Sequence, residues 1–546
     1  MKKHFFFIFL ITILCSIPLL DLLNPGLPLT HDGADHVARI ANFYQNLQEG
    51  NVVPRWAGNL NWGYGHPILM FLYPLPSYGV SVFHVVGFSF VDSTKLVFGA
   101  AYVLSAIAMY VWLQAFLDKK SALIGAFAYT LAPYRFVDLY VRGAIGEHVA
   151  FIFPPLICYS LYTLASSKTK RGVILGSLSV AGLLLSHNAL SLMFLPLLFL
   201  YAVYLFKTVR EKFSFLFFSF AFFLWGFALA AFFWIPAFFE GKYTLRDIVT
   251  RNEYLSRFET WERFFYSPWN YGGTGQFSVE VGIIQWVGIA LAFIAVFLYW
   301  KRKNHLWALC LGALVFLFLS LFLMTNESLF VWQEVTILQK FQFPWRLLSV
   351  VVFLSALLLG LLVHILREKQ RIILSSGLVM LLFLFSMGFW HAKSYLAQQE
   401  SYFTSIYNGT TDTGESAPIW SVRFMEHRPT SQMEVIEGRA DILSLKRTST
   451  VHTYEITAKS RSRLRENTLY FPGWIVVVDN KPAGIEFQDP RHRGLMTFFV
   501  NEGKHRVEVR FTETKLRMVS DTLSVLAFAA IICLTFYFYI LRSTKE

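Results

Sequence analysis

Two histidines and two aspartates stand within six positions near the start of the chain. They are His31, Asp32, Asp35 and His36 in the segment THDGADHVARI, which closely follows an apolar stretch. A carboxylate can take a proton from a hydroxyl group, and carboxylates together with imidazoles can bind a metal ion. Either aspartate could instead cap a helix that begins near Ala34. The spacing matches no strong metal motif, and a catalytic base, a divalent-cation site and a helix cap all remain open at this point.

Charged residues recur in the other polar segments between apolar runs. A guanidinium group matches phosphate oxygens in a bidentate manner, and acids, histidines and arginines with aromatic neighbours favour a site for a polar group delivered on a lipid. The residues with a predicted substrate-binding role are His36, Arg39, Arg55, His66, Arg142, His187 and Arg346. Simpler roles also remain open, because Arg142 could lie at the membrane boundary with Asp138 as its partner, and Glu147 could face the positive end of a helix.

The composition places these residues in a membrane protein. Of the 546 residues, 55% are hydrophobic and 18% aromatic, and the mean hydropathy is +0.48. Apolar runs of about 18–25 residues, poor in charge, are typical of transmembrane helices. They lie at residues 5–22, 68–90, 95–117, 121–140, 149–167, 171–187, 189–206, 213–237, 281–299, 306–324, 346–366, 372–391 and 519–541. The net charge is +13, and much of the basic charge lies in short clusters between the runs, which favours a role in topology over nucleic acid binding.

The basic clusters orient the runs and predict about twelve full spans, with both termini in the cytoplasm. If every run crossed the membrane, Lys119, Lys120 and every later cluster would lie outside. Removing run 68–90 restores the pattern, and Pro74 and Pro76 would interrupt a helix there. About thirteen spans with one violation of the rule remain the alternative.

This topology makes residues 23–94 one long extracytoplasmic loop. Alternating stretches such as TSTVHTYEITAKS and HRVEVRF, separated by turn residues, predict β-strands near the end of the chain. The predicted fold class is therefore an all-α polytopic membrane protein with a small extracytoplasmic β-sandwich-like domain before the last helix. The predicted domains are a transmembrane domain at 1–391, a β-rich domain at 392–518, and an anchor with a cytoplasmic tail at 519–546.

Several segments then resemble one family of enzymes. After the acid-bearing loop come GNVVPRW, GYGHP and YPLPSY, followed later by PYRFVDLYVRGAIGEHVAFIFPPL, LSHNAL, FQFPWRLLS and YFPGWIVVVDNKPA. In this order the chain resembles the GT-C superfamily of polytopic glycosyltransferases. It looks most like bacterial membrane proteins with the 6-pyruvoyl-tetrahydropterin-synthase-related domain and like YfhO-like proteins. The resemblance implies a sugar donor linked to polyprenyl phosphate, and a glycan, lipid or protein acceptor.

The resemblance also implies which residues are catalytic. In GT-C enzymes an acid of the first outer loop is the usual base, often with a second acid from a later outer loop. These roles would fall on Asp32, with Asp35 as a competitor, and on Glu147. The implied reaction is inverting sugar transfer at the extracytoplasmic face of the cell membrane, with a divalent cation possible and no metal ligands assigned. A lipid or glycan transporter or flippase, and a non-catalytic envelope scaffold, remain the alternatives.

Overall fold

Helices dominate the first two thirds of the chain, as the apolar runs predict. The computed structural model describes residues 2–166, 171–273 and 276–543, and in this part nine helices are long and apolar enough to cross a membrane. Two shorter apolar helices, Gly172–Ser186 and Leu306–Phe322, accompany them. The fold class of a multi-pass membrane protein is thereby confirmed, whereas the number of spans stays a prediction. Residue 167, the predicted end of one run, and residues 544–546 of the predicted tail lie outside the described residues.

The α-helices of the first half of the chain surround the acid-rich segment. They are α1 (Lys2–Ser16), α2 (Gly33–Gln48), α3 (Ile68–Phe71), α4 (Leu75–Val85), α5 (Phe90–Gln114), α6 (Lys119–Thr130), α7 (Pro133–Phe136), α8 (Ile145–Ala150), α9 (Phe153–Ser166), α10 (Arg171–Ser186), α11 (Asn188–Thr208), α12 (Lys212–Leu229) and α13 (Ala231–Phe239). A π-helical segment, Val137–Arg142, directly follows α7.

The second half supplies the centre of the bundle and the last helix. Its α-helices are α14 (Arg246–Val249), α15 (Trp261–Phe265), α16 (Ile283–Lys301), α17 (Leu306–Phe322), α18 (Leu329–Glu334), α19 (Thr336–Gln339), α20 (Leu348–His364), α21 (Glu368–Ser386), α22 (Ser401–Thr404) and α23 (Lys515–Ser543). Helix α20 packs against α6, α16 and α17 and is buried almost along its whole length. The segment that leads into α20 is therefore held at the middle of the bundle.

Prolines and caps shift several helix boundaries from the predicted runs. Run 68–90 forms no continuous helix, because α3 ends at Phe71 and α4 begins after Pro74, as the prolines predict. Run 121–140 is also interrupted, which corrects its prediction as one helix. Helix α6 ends at Thr130, and Pro133, which has no backbone N–H, opens the next short helix. Helix α5 begins at Phe90 rather than 95, because the Ser89 hydroxyl accepts a hydrogen bond from the Asp92 amide at 3.0 Å.

Two antiparallel sheets form the β-domain before α23. After a short ladder between β1 (Leu27–Pro28) and β2 (Tyr395–Leu396), the strands are β3 (Met433–Glu437), β4 (Ala440–Arg447), β5 (Val451–Ala458), β6 (Ser462–Leu469), β7 (Trp474–Val478), β8 (Lys481–Ala483), β9 (Leu495–Val500) and β10 (Gly503–Phe511). One sheet has the order β4-β5-β10-β7-β8 and the other β3-β6-β9. Ile456, Leu464 and Val507 are among the buried residues of their shared core. A β-domain before the last helix is thus confirmed, with its strands inside the predicted range 392–518.

Candidate functional site

The acid-rich segment lies at the start of α2, where Asp32 is the residue that precedes the first turn. The amides of His31 and Asp32 donate to the carbonyl oxygens of Val141 and Arg142, each at 3.0 Å, and so join this segment to the π-helical one. The Asp32 carboxylate is exposed and accepts no hydrogen bond from any group in the described part of the chain. The expected helix is present, but Asp32 does not cap it with its side chain.

Asp35 has different surroundings from Asp32. Its carboxylate accepts a hydrogen bond from the Tyr407 hydroxyl at 2.9 Å. Burial raises the pKa of Asp35, the Tyr407 hydrogen bond and the charge of Arg39 oppose this rise, and the nearby carboxylates of Asp32 and Asp412 add to it. Asp35 is therefore engaged with a distant segment of the chain, whereas Asp32 is free.

His36 and Arg39 form the inner side of α2. The Arg39 guanidinium lies 3.0 Å from His36 Nδ1, donates to the Thr411 hydroxyl at 3.1 Å, and also donates to the Thr411 carbonyl. Burial holds the pKa of His36 well below its usual range, and the positive charges of Arg39 and Arg142 add to this effect. His36 is thus a neutral imidazole at physiological pH.

The four residues of the opening cluster do not converge on a metal site. Asp35 is directed to Tyr407 and His36 to Arg39, while His31 Nε2 lies 3.4 Å from the carbonyl oxygen of Tyr271. Among residues 2–166, 171–273 and 276–543, no group of three or more His, Cys, Asp or Glu side chains has the arrangement of a metal site. These four residues therefore do not form a metal site among themselves, and no other group of three such ligands is present in the described part of the chain.

Glu147 belongs to a buried ion-pair network. The Arg142 guanidinium donates to Glu147 Oε2 at 2.7 Å and also contacts Asp138, which is the predicted partner of Arg142. The Tyr134 hydroxyl donates to Glu147 Oε1 at 2.5 Å, and the guanidinium lies 4.6 Å from the centroid of the Trp345 ring. Both oxygens of Glu147 are engaged, and the side chain is fully buried. Glu147 is thus held by Arg142 on one oxygen and by Tyr134 on the other.

Two further predicted residues approach this network from other helices. His187 precedes α11, and its Nδ1 accepts a hydrogen bond from the Leu190 amide at 3.2 Å. Burial lowers the pKa of His187 to about 3, against the opposing charge of Glu147, so this imidazole is also neutral. The Arg346 guanidinium donates to the Phe341 carbonyl at 3.1 Å, and its buried Nε has no hydrogen-bond partner in the described part of the chain.

Tyr73, from the proline-rich segment, is a further member of the cluster. Its ring lies 5.0 Å from that of His187, and it is within electrostatic range of the residues Arg39, Arg346, Asp32 and Glu147. Burial raises the pKa of Tyr73 to about 12, so it keeps its hydroxyl proton. The structure thus brings together Asp32, Asp35, His36, Arg39, Arg142, Glu147, His187 and Arg346 around Tyr73.

Arg55 and His66, which are also predicted to bind substrate, lie outside the cluster or at its edge. Arg55 is not brought into the cluster, because it pairs with Glu513 at 2.9 Å and with Asp521 at 2.6 Å, next to the last helix. His66 is fully buried, with both ring nitrogens unpartnered among the described residues. It lies within electrostatic range of Asp412 and Arg39, at the edge of the cluster.

A late segment of the chain supplies residues that the sequence did not reveal. Tyr407 and Thr411 contact α2, and the Asp412 carboxylate beside them is fixed by the amides of Gly414 and Ser416 at 2.8 and 3.0 Å. Their segment, YNGTTDTG, is typical of a turn, and it has no spacing that points to a catalytic site. The polar character of the segment is the one signal that could have drawn attention to it.

Comparisons with known proteins give partial matches. No family model matches the chain. An uncharacterised protein of Lactococcus lactis subsp. cremoris is 25% identical over 191 residues, which is 34% of this chain and 30% of the relative. Arabinofuranosyltransferase AftD from Mycobacteria aligns with a TM-score of 0.46 and 14% identity over 70% of this chain, which spans 26% of AftD. Archaeal oligosaccharyltransferase AglB from Archaeoglobus fulgidus aligns with a TM-score of 0.43 and 11% identity over 77% of this chain, which spans 61% of AglB.

Proposed function

We propose that the chain is a membrane glycosyltransferase. In this proposal it transfers a sugar from a polyprenyl-phosphate-linked donor to an extracytoplasmic glycan, lipid or protein acceptor. The observation that carries the proposal is the Asp32 carboxylate, which is exposed and unengaged in the described part of the chain. It stands beside a buried cluster that contains several guanidinium groups, and a free acid next to phosphate-binding groups is what this transfer requires.

Asp32 is the proposed general base. It takes the proton from an acceptor hydroxyl while the hydroxyl oxygen attacks the anomeric carbon of the donor sugar. A new carbon–oxygen bond forms there, and the bond to the phosphate oxygen breaks with its electron pair. The lipid phosphate leaves with its negative charge, and the anomeric configuration is inverted. Asp35 is less suited to this role, because the Tyr407 hydroxyl already donates to its carboxylate.

Arg346 is the proposed ligand of the donor phosphate. Its Nε has no partner among the described residues, so a phosphate oxygen can accept a hydrogen bond from it. Arg39 is already bound to Thr411 and Arg142 to Glu147, so these two hold the cluster and contribute positive charge. Glu147 is then a positioning residue that acts through Arg142.

The test compares two aspartate variants of the same loop. Asp32→Asn should reduce sugar transfer at least about a hundredfold, because general-base catalysis contributes about 10²–10⁴-fold. Asp35→Asn is the matched control, and it should retain much more activity because its hydrogen bond to Tyr407 survives. The measurement is incorporation of labelled sugar from a polyprenyl-phosphate donor into membranes, with protein abundance checked by immunoblot.

Full transfer activity in Asp32→Asn at normal abundance would contradict the proposed base. If wild-type protein transfers no sugar from any donor tested, the result would favour a flippase or a non-catalytic scaffold over a glycosyltransferase. Movement of labelled polyprenyl-linked sugar across reconstituted vesicles would then favour a flippase, and no movement would favour a scaffold.

A further inference from the structure

A polar cavity lies between the first long loop, residues 23–94, and the β-domain. It encloses about 140 Å³, and it shares no lining residue with the cluster around Tyr73. The lining residues come from α2, from the loop after it and from the β-domain, and they are Gln45, Trp56, Gly58, Asn59, Tyr64, Arg447, Thr448, Ser449, His452 and Thr468.

Direct contacts fix the two sides of this cavity against each other. The Glu49 carboxylate accepts the Ser449 amide hydrogen, with oxygens at 2.9 and 3.1 Å. Gly58 lies so close to the turn between β4 and β5 that an added Cβ would stand 3.2 Å from Ser449 Cα. The Asn59 amide donates to Gln45 Oε1 at 2.9 Å. The cavity is therefore preformed, and a ligand would find its walls already in place.

The Ser449 hydroxyl is the feature that points to a ligand. Ser449 is 2% exposed and lines the cavity, but its Oγ has no hydrogen-bond partner in the described part of the chain. Buried hydroxyl groups in folded proteins are nearly always hydrogen-bonded, because leaving one unpaired is destabilising. A ligand with hydroxyl groups of its own would satisfy Ser449.

The charges of the cavity favour a neutral ligand. Arg447 donates to Glu466 Oε1 at 3.1 Å, and His452 Nδ1 lies 2.9 Å from the same oxygen. Burial raises the pKa of Glu466, but His452 and Arg447 outweigh it and hold this pKa below its usual value. The ionised Glu466 therefore balances the charge of Arg447. An anion at this place would meet the negative charge of Glu466 as well as the positive charge of Arg447.

We propose that the cavity binds a neutral sugar unit of the acceptor. Amide, imidazole, guanidinium and hydroxyl groups can hydrogen-bond to sugar hydroxyls, and Trp56 and Tyr64 are the aromatic residues of the lining. The assignment of this sugar to an acceptor rests on the proposed function. The binding itself is a property of the cavity and can be measured without transfer.

Saturation-transfer-difference NMR on the full-length protein tests the binding. The probes are the methyl glycosides of glucose, galactose, rhamnose and N-acetylglucosamine, and the detergent carries no sugar headgroup, because such a headgroup would compete. At least one glycoside should bind wild-type protein and Asp32→Asn alike. Ser449→Ala removes a hydroxyl without a protein partner, so it should fold normally and raise the Kd about three- to tenfold.

Two more variants make the test specific to the cavity. Ser449→Leu places an apolar side chain in the cavity and should abolish the signal. Ser460→Ala, in the turn at the opposite end of β5, is the matched control and should bind as wild type does. Equal binding by Ser449→Leu, or no signal from any glycoside with wild-type protein, would overturn the proposal.

The two proposals can fail separately. Sugar binding that persists while Asp32→Asn keeps full transfer activity would overturn the catalytic assignment and leave the cavity as a sugar site. Loss of transfer in Asp32→Asn without sugar binding to wild-type protein would overturn the cavity assignment alone.

Discussion

Asp32 and Asp35 differ in their surroundings because they differ in position relative to α2. Asp32 precedes the helix and faces open space, while Asp35 lies in the first turn and meets Tyr407. Three residues are nearly one helical turn, but Asp32 lies just before the helix begins, so the two side chains have different neighbours. A carboxylate that is held by a neighbour is a poorer base than one that is free to accept a proton. The local structure thus ranks two acids that the residue types alone leave equal.

The raised pKa of Asp35 predicts how stability depends on pH. The folded protein holds the Asp35 proton more tightly than the unfolded chain does, so ionisation destabilises the fold as the pH rises from about 4 through the raised pKa. Asp35→Asn removes this effect and keeps an oxygen for Tyr407. The apparent melting temperatures of Asp35→Asn and the wild type are measured from pH 4.5 to 8. The melting temperature of Asp35→Asn minus that of the wild type should increase as the pH rises.

A melting-temperature difference that stays constant over this pH range would contradict the prediction. Tyr407→Phe provides the control, because it removes the hydrogen bond that opposes the rise in the pKa of Asp35. In that background the pH-dependent gain from Asp35→Asn should be larger.

At the scale of elements, short segments supply three residues of the cluster. The π-helical segment carries Arg142, α8 carries Glu147, and the break between α3 and α4 carries Tyr73. The absence of a side chain at Gly146 in α8 allows the Tyr73 ring to pack directly against that helix, and a Cβ there would also lie 2.6 Å from the Ser186 carbonyl oxygen. One glycine therefore permits three segments to meet.

Gly146→Ala should destabilise the protein and impair transfer. The added methyl would overlap the Tyr73 ring, and overpacking of this kind costs about 1–3 kcal/mol. The matched control is Gly377→Ala in α21, where a Cβ would meet no heavy atom within 4 Å. Melting temperature and sugar transfer are measured for both variants, and similar values for the two would show that α8 does not need its glycine.

At the scale of the whole molecule, the site and the β-domain are predicted to share the extracytoplasmic side. The test uses single cysteines in a Cys533→Ser background, because Cys15, Cys158 and Cys310 are buried. Asn408→Cys lies in the exposed part of the late segment, and Lys301→Cys lies at the exposed end of α16. A membrane-impermeant maleimide should label Asn408→Cys in intact cells and should label Lys301→Cys after permeabilisation. The reverse pattern would contradict the topology.

The sequence predicted much of this architecture because hydrophobic runs, prolines and paired charges are local signals. Pro74 predicted a broken helix, and Asp138 and Arg142 were recognised as partners from their spacing. Pro133 carried a comparable signal, and the prediction of one helix at 121–140 overlooked it. Contacts between distant segments of the chain have no such local signal in the sequence. The pairing of Arg55 with Glu513 and of Asp35 with Tyr407 depends on the folded path of the chain.

The contact between Asp35 and Tyr407 can form only late in the synthesis of the chain. The two residues are separated by 372 positions in the chain. Since ribosomes add about 5–20 residues per second, Tyr407 emerges roughly 20–75 s after Asp35. During that interval the first loop is already synthesised but lacks the partners of Asp35 and Arg39. A nascent chain therefore cannot hold the complete cluster until synthesis has passed the segment before the β-domain.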